Sequence, residues 1–196
     1  MRPLAIAVML CLVAASLGVA RSPAAAPGKT IAVGGAPMGI AFARGSAWVA
    51  LGRALVRLDG RSGRVLGRTP LPAGGDYRGI AIAGGRAWVT DGGGAHGSIA
   101  VVDLATRRVV LVVRVVCCAL GIAVHGGRLA VTLAHDGPGE LVRIDPASGA
   151  IVSRTTTGPG LWPPQAAHDR VRGGGALWIA HFIQGTVTRV PLAGSG

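Results

Sequence analysis

Aromatic residues are scarce in this sequence, at 4% of 196 residues with one Tyr and two Phe, and charged residues reach only 14%. Set against 50% hydrophobic residues, the shortage of charge excludes a disordered chain, because such chains are rich in charge and poor in branched aliphatics. The shortage of aromatics counts against a nucleic-acid surface, which stacks bases on such rings between clustered cations. Here the cations are Arg scattered through the turns, with a single Lys. The net charge of +12 therefore reads as a basic surface, and no nucleic-acid partner is expected. Long runs of helix formers are missing too: 33 Gly and 12 Pro interrupt the chain and exclude a helical bundle. What remains is an all-β domain long enough to bury a sizeable core.

Cysteine is also rare, with three residues. Cys11 lies in an apolar stretch near the start, and Cys117 and Cys118 are adjacent, which rules out ordinary disulfide geometry. They read as small buried hydrophobes, with a vicinal disulfide or reactive pair as the alternative.

The start of the chain has the layout of a secretory signal peptide over residues 1–20. Met1 and Arg2 supply a positive region, Pro3 to Val19 an apolar one, and Gly18-Val19-Ala20 a small-x-small site before Arg21. The expected location is extracytoplasmic, secreted or periplasmic. An uncleaved anchor is the alternative and the only expected tie to a membrane, since about 17 apolar residues is the low edge of a span. Residues 21–28, RSPAAAPG, read as a linker, and residues 29–196 as the folded domain.

That domain repeats itself. Gly39-Ile40-Ala41-Phe42-Ala43, Gly79-Ile80-Ala81-Ile82-Ala83 and Gly121-Ile122-Ala123-Val124-His125 align, and each is followed by a Gly-containing turn and a second strand with Trp48, Trp88 or Ala130 at its centre. A further copy of the second strand carries Trp178. These central positions lie 40, 42 and 48 residues apart. A third strand recurs as Leu55-Val56-Arg57-Leu58-Asp59, Ile99-Ala100-Val101-Val102-Asp103, Leu141-Val142-Arg143-Ile144-Asp145 and Val187-Thr188-Arg189-Val190-Pro191. The Asp, with Gly63 or Gly149 after it, predicts a tight turn into a fourth strand, because Asp accepts amide hydrogen bonds and Gly adopts the left-handed conformation.

Four short antiparallel strands in about 42 residues make one blade of a β-propeller. The predicted fold is thus all-β, a propeller of about four four-stranded blades at 37–76, 77–118, 119–160 and 161–196. The Trp residues are expected to fill the space between blades.

The pattern Pro-x-Gly-Ile-Ala, Gly-x-Ala-Trp-Val and Val-x-Arg-Ile-Asp-Pro-x-Ser-Gly resembles bacterial exported β-propellers of the YncE and YVTN type, and is similar to the repeats of virginiamycin B lyases. The first resemblance implies an exported repeat scaffold. The second implies an enzyme that opens a lactone ring by elimination, with a His and Glu constellation and magnesium. These repeats are structural, so they carry the fold further than an activity.

The fourth copy stops after its third strand. Residues 29–34 match an outer strand and could complete it, closing a four-bladed ring. Otherwise the chain is a truncated larger propeller whose open ends need a partner, or a homodimer completing a ring. The steep angles between four such blades favour truncation.

Functional groups concentrate on loops held by a rigid scaffold. From the Trp position to the turn Asp the distance is 11 residues in the first copy and 15 in the second and third. The extra length holds Asp91 and His96 in one loop and His135, Asp136 and Glu140 in the next; His168 and His181 fall in the fourth copy. These seven residues are the expected ligand-binding face. His suits proton transfer and metal ligation, but no His-x-x-x-His or paired-Cys spacing occurs. Neither metal nor cofactor is expected. The expected role is binding of an unidentified protein or small-molecule ligand rather than catalysis; the alternative is a lyase-like enzyme using His96, His135 and Glu140.

Overall fold

The computed structural model describes residues 30–73, 75–93, 97–116, 118–134 and 139–157, and three further strands as backbone, Pro164–His168, Ala176–His181 and Thr186–Pro191. The strands belong to one unit, Ile31–Gly196. No helix occurs among the described residues.

The first sheet comprises β1 (Gly39–Ala43), β2 (Ser46–Leu51), β3 (Ala54–Asp59) and β4 (Val65–Pro70). The second comprises β5 (Tyr77–Ala83), β6 (Arg86–Asp91), β7 (Ser98–Asp103) and β8 (Val109–Arg114). β9 (Ala119–His125), β10 (Arg128–Leu133), β11 (Glu140–Ile144) and β12 (Ile151–Thr156) form the third. The fourth has three strands among the described residues, β13 (Pro164–His168), β14 (Ala176–His181) and β15 (Thr186–Pro191). Within every sheet the strands lie side by side in chain order and antiparallel.

Turn chemistry fixes this meander. Arg44 and Gly45, Gly84 and Gly85, and Gly126 and Gly127 join first to second strands with φ of 49° and 68°, 58° and 72°, and 57° and 72°. Two consecutive left-handed residues make the mirror-image turn whose twist matches that of the flanking strands. Between third and fourth strands, Oδ1 of Asp59, Asp103 and Asp145 accepts the amides two and three residues on and a hydroxyl, from Ser62, Thr106 or Ser148. Gly63 and Gly149 close two of these turns at φ 73° and 78°, and Arg107 closes the third at 60°. A register shift follows at the same place in each of the first three sheets, beside Leu58, Val102 and Ile144.

Alternation then sorts side chains toward the preceding or the following sheet. On β5, Ile80 and Ile82 pack with Trp48, Leu55, Leu71 and Tyr77 between the first and second sheets. Ala81 and Ala83 face the other way and pack with Trp88, Ile99, Ile122 and Leu129 between the second and third. Trp48 and Trp88 are 2% and 0% exposed, so each fills an inter-sheet space as the repeat predicts. Burying such a ring contributes roughly 4–6 kcal/mol of transfer free energy as an upper bound.

The first strands stand together, β1 against β5, β5 against β9 and β9 against β13. A β-carbon on Gly39 would run into the carbonyl of Arg78, and one on Gly79 into that of Leu120. This close approach is why glycine opens the Gly-Ile-Ala motif. In the fourth sheet Gln165 holds that register position, opposite Ala180 as Gly39 is opposite Ala50.

The sheets do not close into a ring. Residues 31–33 therefore do not complete the fourth sheet of their own chain: Ile31 lies against Gly63, Val33 packs on the first sheet's cluster with Val49, Leu51 and Leu58, and Arg68 Nη2 donates to the Val33 carbonyl. β15 has β14 as its one sheet neighbour among the described residues.

Candidate functional site

Strand direction alternates, so the connections between second and third strands share one end of the sheets with the links between sheets. This is the loop end; the two-residue turns and the Asp turns lie at the other.

Asp91 closes β6 at the loop end, opposite Tyr77 on β5 and Ser98 on β7. It is 5% exposed. Its Oδ1 accepts the amides of Asp76 at 2.8 Å and Gly93 at 3.0 Å, and its Oδ2 accepts the Ser98 hydroxyl at 3.2 Å. One carboxylate thus ties the entry to β5 to the start of the β6–β7 loop. Asp76 is held in turn by Arg78, whose Nε and Nη2 donate to Oδ2 at 2.9 Å and 2.6 Å. The Arg78 and Asp76 side chains keep 38% and 46% of their surface in water. Tyr77, between them in sequence, is buried beneath. Burial pushes its phenol up from the usual 10.0, helped by the charge of Asp91 and opposed by a hydrogen bond with Ser98.

Glycines make this corner tight. A β-carbon on Gly92 would come within 2.8 Å of Leu120 and 3.0 Å of Arg78, and one on Gly93 within 2.9 Å of Asp76. One strand position inward, the Thr90 hydroxyl accepts the Gly79 amide at 3.0 Å and donates to the Leu120 carbonyl at 3.0 Å, joining second and third sheets.

Glu140 begins β11 at the same end of the third sheet, paired with Leu133 and Thr156. Its Oε2 accepts from Arg154 Nη1 at 2.8 Å. His181 closes β14, paired with Pro164 and Thr186, and so lies at the loop end of the fourth sheet. His168 pairs with Leu177 at the opposite end of that sheet, because the strand runs through Pro164–His168 and carries His168 away from the loops. The structure thus places Asp91, Glu140 and His181 at one end of neighbouring sheets and His168 at the other. His96, His135 and Asp136 lie outside the described residues, as does Cys117. Cys118 is half-buried with φ 29°. Among the described residues no group of three or more His, Cys, Asp or Glu is placed to hold a metal ion.

Sequence reasoning passed over Asp76, Tyr77, Arg78 and Ser98. The available signal was local: the polar run Asp76-Tyr77-Arg78 directly precedes Gly79, where the first copy has Ala36-Pro37-Met38 before Gly39.

The opposite end is built for folding. The carboxyls of Asp59, Asp103 and Asp145 lie below the usual 3.8, chiefly through backbone hydrogen bonds from Ser62, Thr106 and Ser148.

No protein-family model matches the chain, and no curated protein matches it in sequence. Solved structures do match in fold. Hydrazine synthase from Kuenenia stuttgartiensis superposes with a TM-score of 0.58 and 16% identity over 80% of this chain and 49% of that one. Glutaminyl cyclase from Myxococcus xanthus gives 0.54 and 18% over 74% and 62%, and BamB from Moraxella catarrhalis 0.53 and 18% over 76% and 41%. The chain spans about half the length of the hydrazine synthase chain. With these β-propeller neighbours the fold class is defined: an all-β propeller-type stack with three four-stranded antiparallel blades and a fourth of three described strands, not closed into a ring.

Proposed function

We propose that this chain is an extracytoplasmic binding scaffold that recognises a protein or small-molecule ligand across the loop end of its blades. The observation that carries the reading is the Asp91 network. A buried carboxylate with three hydrogen bonds fixes two loop segments on a rigid scaffold and leaves the Arg78–Asp76 pair half in water above them. The Glu140–Arg154 pair repeats that presentation at the same end of the next blade. Fixed donors and acceptors on loops held by rigid sheets bind without a large ordering cost. The extracytoplasmic location rests on the signal-like layout of residues 1–20. Of the residues an elimination reaction would draw on, Glu140 is tied to Arg154, which favours the scaffold over the lyase-like reading.

A peptide library panned against the purified chain tests the proposal. A selected peptide is titrated into wild type, into Arg78→Ala with Arg154→Ala, and into Arg61→Ala with Arg107→Ala at the other end. Binding that weakens roughly tenfold or more in the first variant and holds in the second is expected. Loss confined to the second variant overturns the assignment of the loop end.

A further inference from the structure

One face of the first blade is apolar and uncovered. Met38, Ile40 and Phe42 are 50%, 57% and 71% exposed, and Ile31 beside them 36%. Ile31, Met38 and Ile40 line a groove of about 420 Å³ with Val33, Pro37, Val49 and Leu58, and Phe42 continues the same strand beyond it, beside Arg44 and Ser46. In register, Ile40 and Phe42 correspond to Ile80 and Ile82 and to Ile122 and Val124. Those later pairs are packed against the blade before them. The groove is therefore a blade-to-blade face without its blade.

Residues 31–33 tell which blade fits. A β-carbon on Gly63 would run into Ile31, as one on Gly149, the matching turn of the third blade, would run into Leu111. Leu111 belongs to β8, the outer strand of the blade preceding the third. Val33 packs on the first blade's cluster two residues after Ile31, as Val113 packs two residues after Leu111. Residues 31–33 thus stand where the fourth strand of a preceding blade belongs. The fourth blade, β13 to β15, is the one with three strands among the described residues.

We propose that the open face of the first blade receives the three-stranded fourth blade of a second copy of this chain, with residues 31–33 as its fourth strand. The contact recurs twice about a two-fold axis and closes one ring of about eight blades, within the usual range for this architecture. A β15 edge with no further strand beside it among the described residues, and an apolar groove, are covered by the same contact. The register follows from the second blade, where Val101 pairs with Leu111 and Ile99 with Val113. Trp178 pairs with Arg189 and Ala180 with Val187, as Trp88 pairs with Val101 and Thr90 with Ile99. Ile31 of one copy therefore lies opposite Arg189 of the other, and Val33 opposite Val187.

The test is the mass of the intact chain by light scattering, with Ile40→Asp and Phe42→Asp combined as the disrupting variant. Both positions are exposed in the single copy, so the blades retain their strand signal by circular dichroism. Twice the mass of one chain is expected for wild type, with roughly a hundredfold rise in the dimer dissociation constant for the variant. A single-chain mass for wild type, or a dimer unchanged by the two substitutions, overturns the proposal. Should the variant unfold, a second measurement decides. Copies carrying only Val33→Cys are mixed with copies carrying only Val187→Cys, oxidised, and digested for mass spectrometry. A 33–187 link between two chains is expected; its absence from the mixture overturns the proposal.

Discussion

Gly79 lies against the backbone of Leu120: a β-carbon there would stand 2.6 Å from the Leu120 carbonyl oxygen and 2.5 Å from Thr90 Oγ1. The neighbours are a backbone carbonyl and a hydroxyl already bonded to both strands, so neither can yield cheaply. Gly79→Ala is expected to cost about 1–3 kcal/mol by overpacking. Gly67→Ala on β4, where the nearest atom is the flexible Arg107 Nη1 at 3.5 Å, is expected to stay within about 0.5 kcal/mol of wild type. Urea denaturation of the two variants measures the difference.

Asp91 is the second point at which one residue holds several strands. Asp91→Ala leaves the amides of Asp76 and Gly93 and the Ser98 hydroxyl without their acceptor, at an expected cost of about 2–3 kcal/mol. Asp91→Asn is expected to lose less, because its amide oxygen still accepts the two backbone donors. Amide hydrogen exchange checks the assignment: protection at Asp76 and Gly93 should fall in the Ala variant and persist in the Asn variant.

The contrast between these two residues shows what the sequence made legible. The Gly79 motif recurred at Gly39 and Gly121, and a strand repeat with its turns follows from such periodicity because each local choice, Gly for close approach and Asp for the turn, is made within a few residues. Asp91 was singled out from its loop, but as a ligand contact; that its carboxylate is consumed by Asp76, Gly93 and Ser98 depends on strands that meet only after folding. His168 and His181 were placed on one face because they share a repeat, whereas strand direction separates them to opposite ends. Residues 31–33 matched an outer strand by pattern alone, and pattern does not say which blade an outer strand serves.

Acid should weaken the fold through the Asp turns. Asp59, Asp103 and Asp145 have folded values held below 3.8 by the amides they accept, so the unfolded state binds protons first as pH falls. Their stabilisation is present in full above the unfolded value and is lost as pH drops through the depressed folded values. The melting temperature is expected to decline below about pH 4, and the Asp59→Asn, Asp103→Asn, Asp145→Asn triple variant should show a flatter acid limb. An acid limb identical to wild type would remove these turns as its source.

Tyr77 is expected to set the alkaline limit. It is the only Tyr in the chain, so tyrosinate absorbance during a pH titration reports this residue alone. Burial and the Asp91 charge raise its folded value above 10.0, so the folded state keeps its proton after the unfolded state has lost its own. Stability is therefore full below the unfolded value and declines as pH rises through the folded one. The titration is expected to show a midpoint above 10.0 in the native protein, moving back toward 10.0 in denaturant. Tyr77→Phe removes the ionisable group while keeping the ring between the first and second blades; it loses the Ser98 hydrogen bond, about 1 kcal/mol at neutral pH. Comparing the two proteins cancels every contribution other than that of Tyr77. Wild type and variant should thus converge in stability as the pH climbs past 10.0, and curves that remain parallel there would place the alkaline transition elsewhere than at Tyr77.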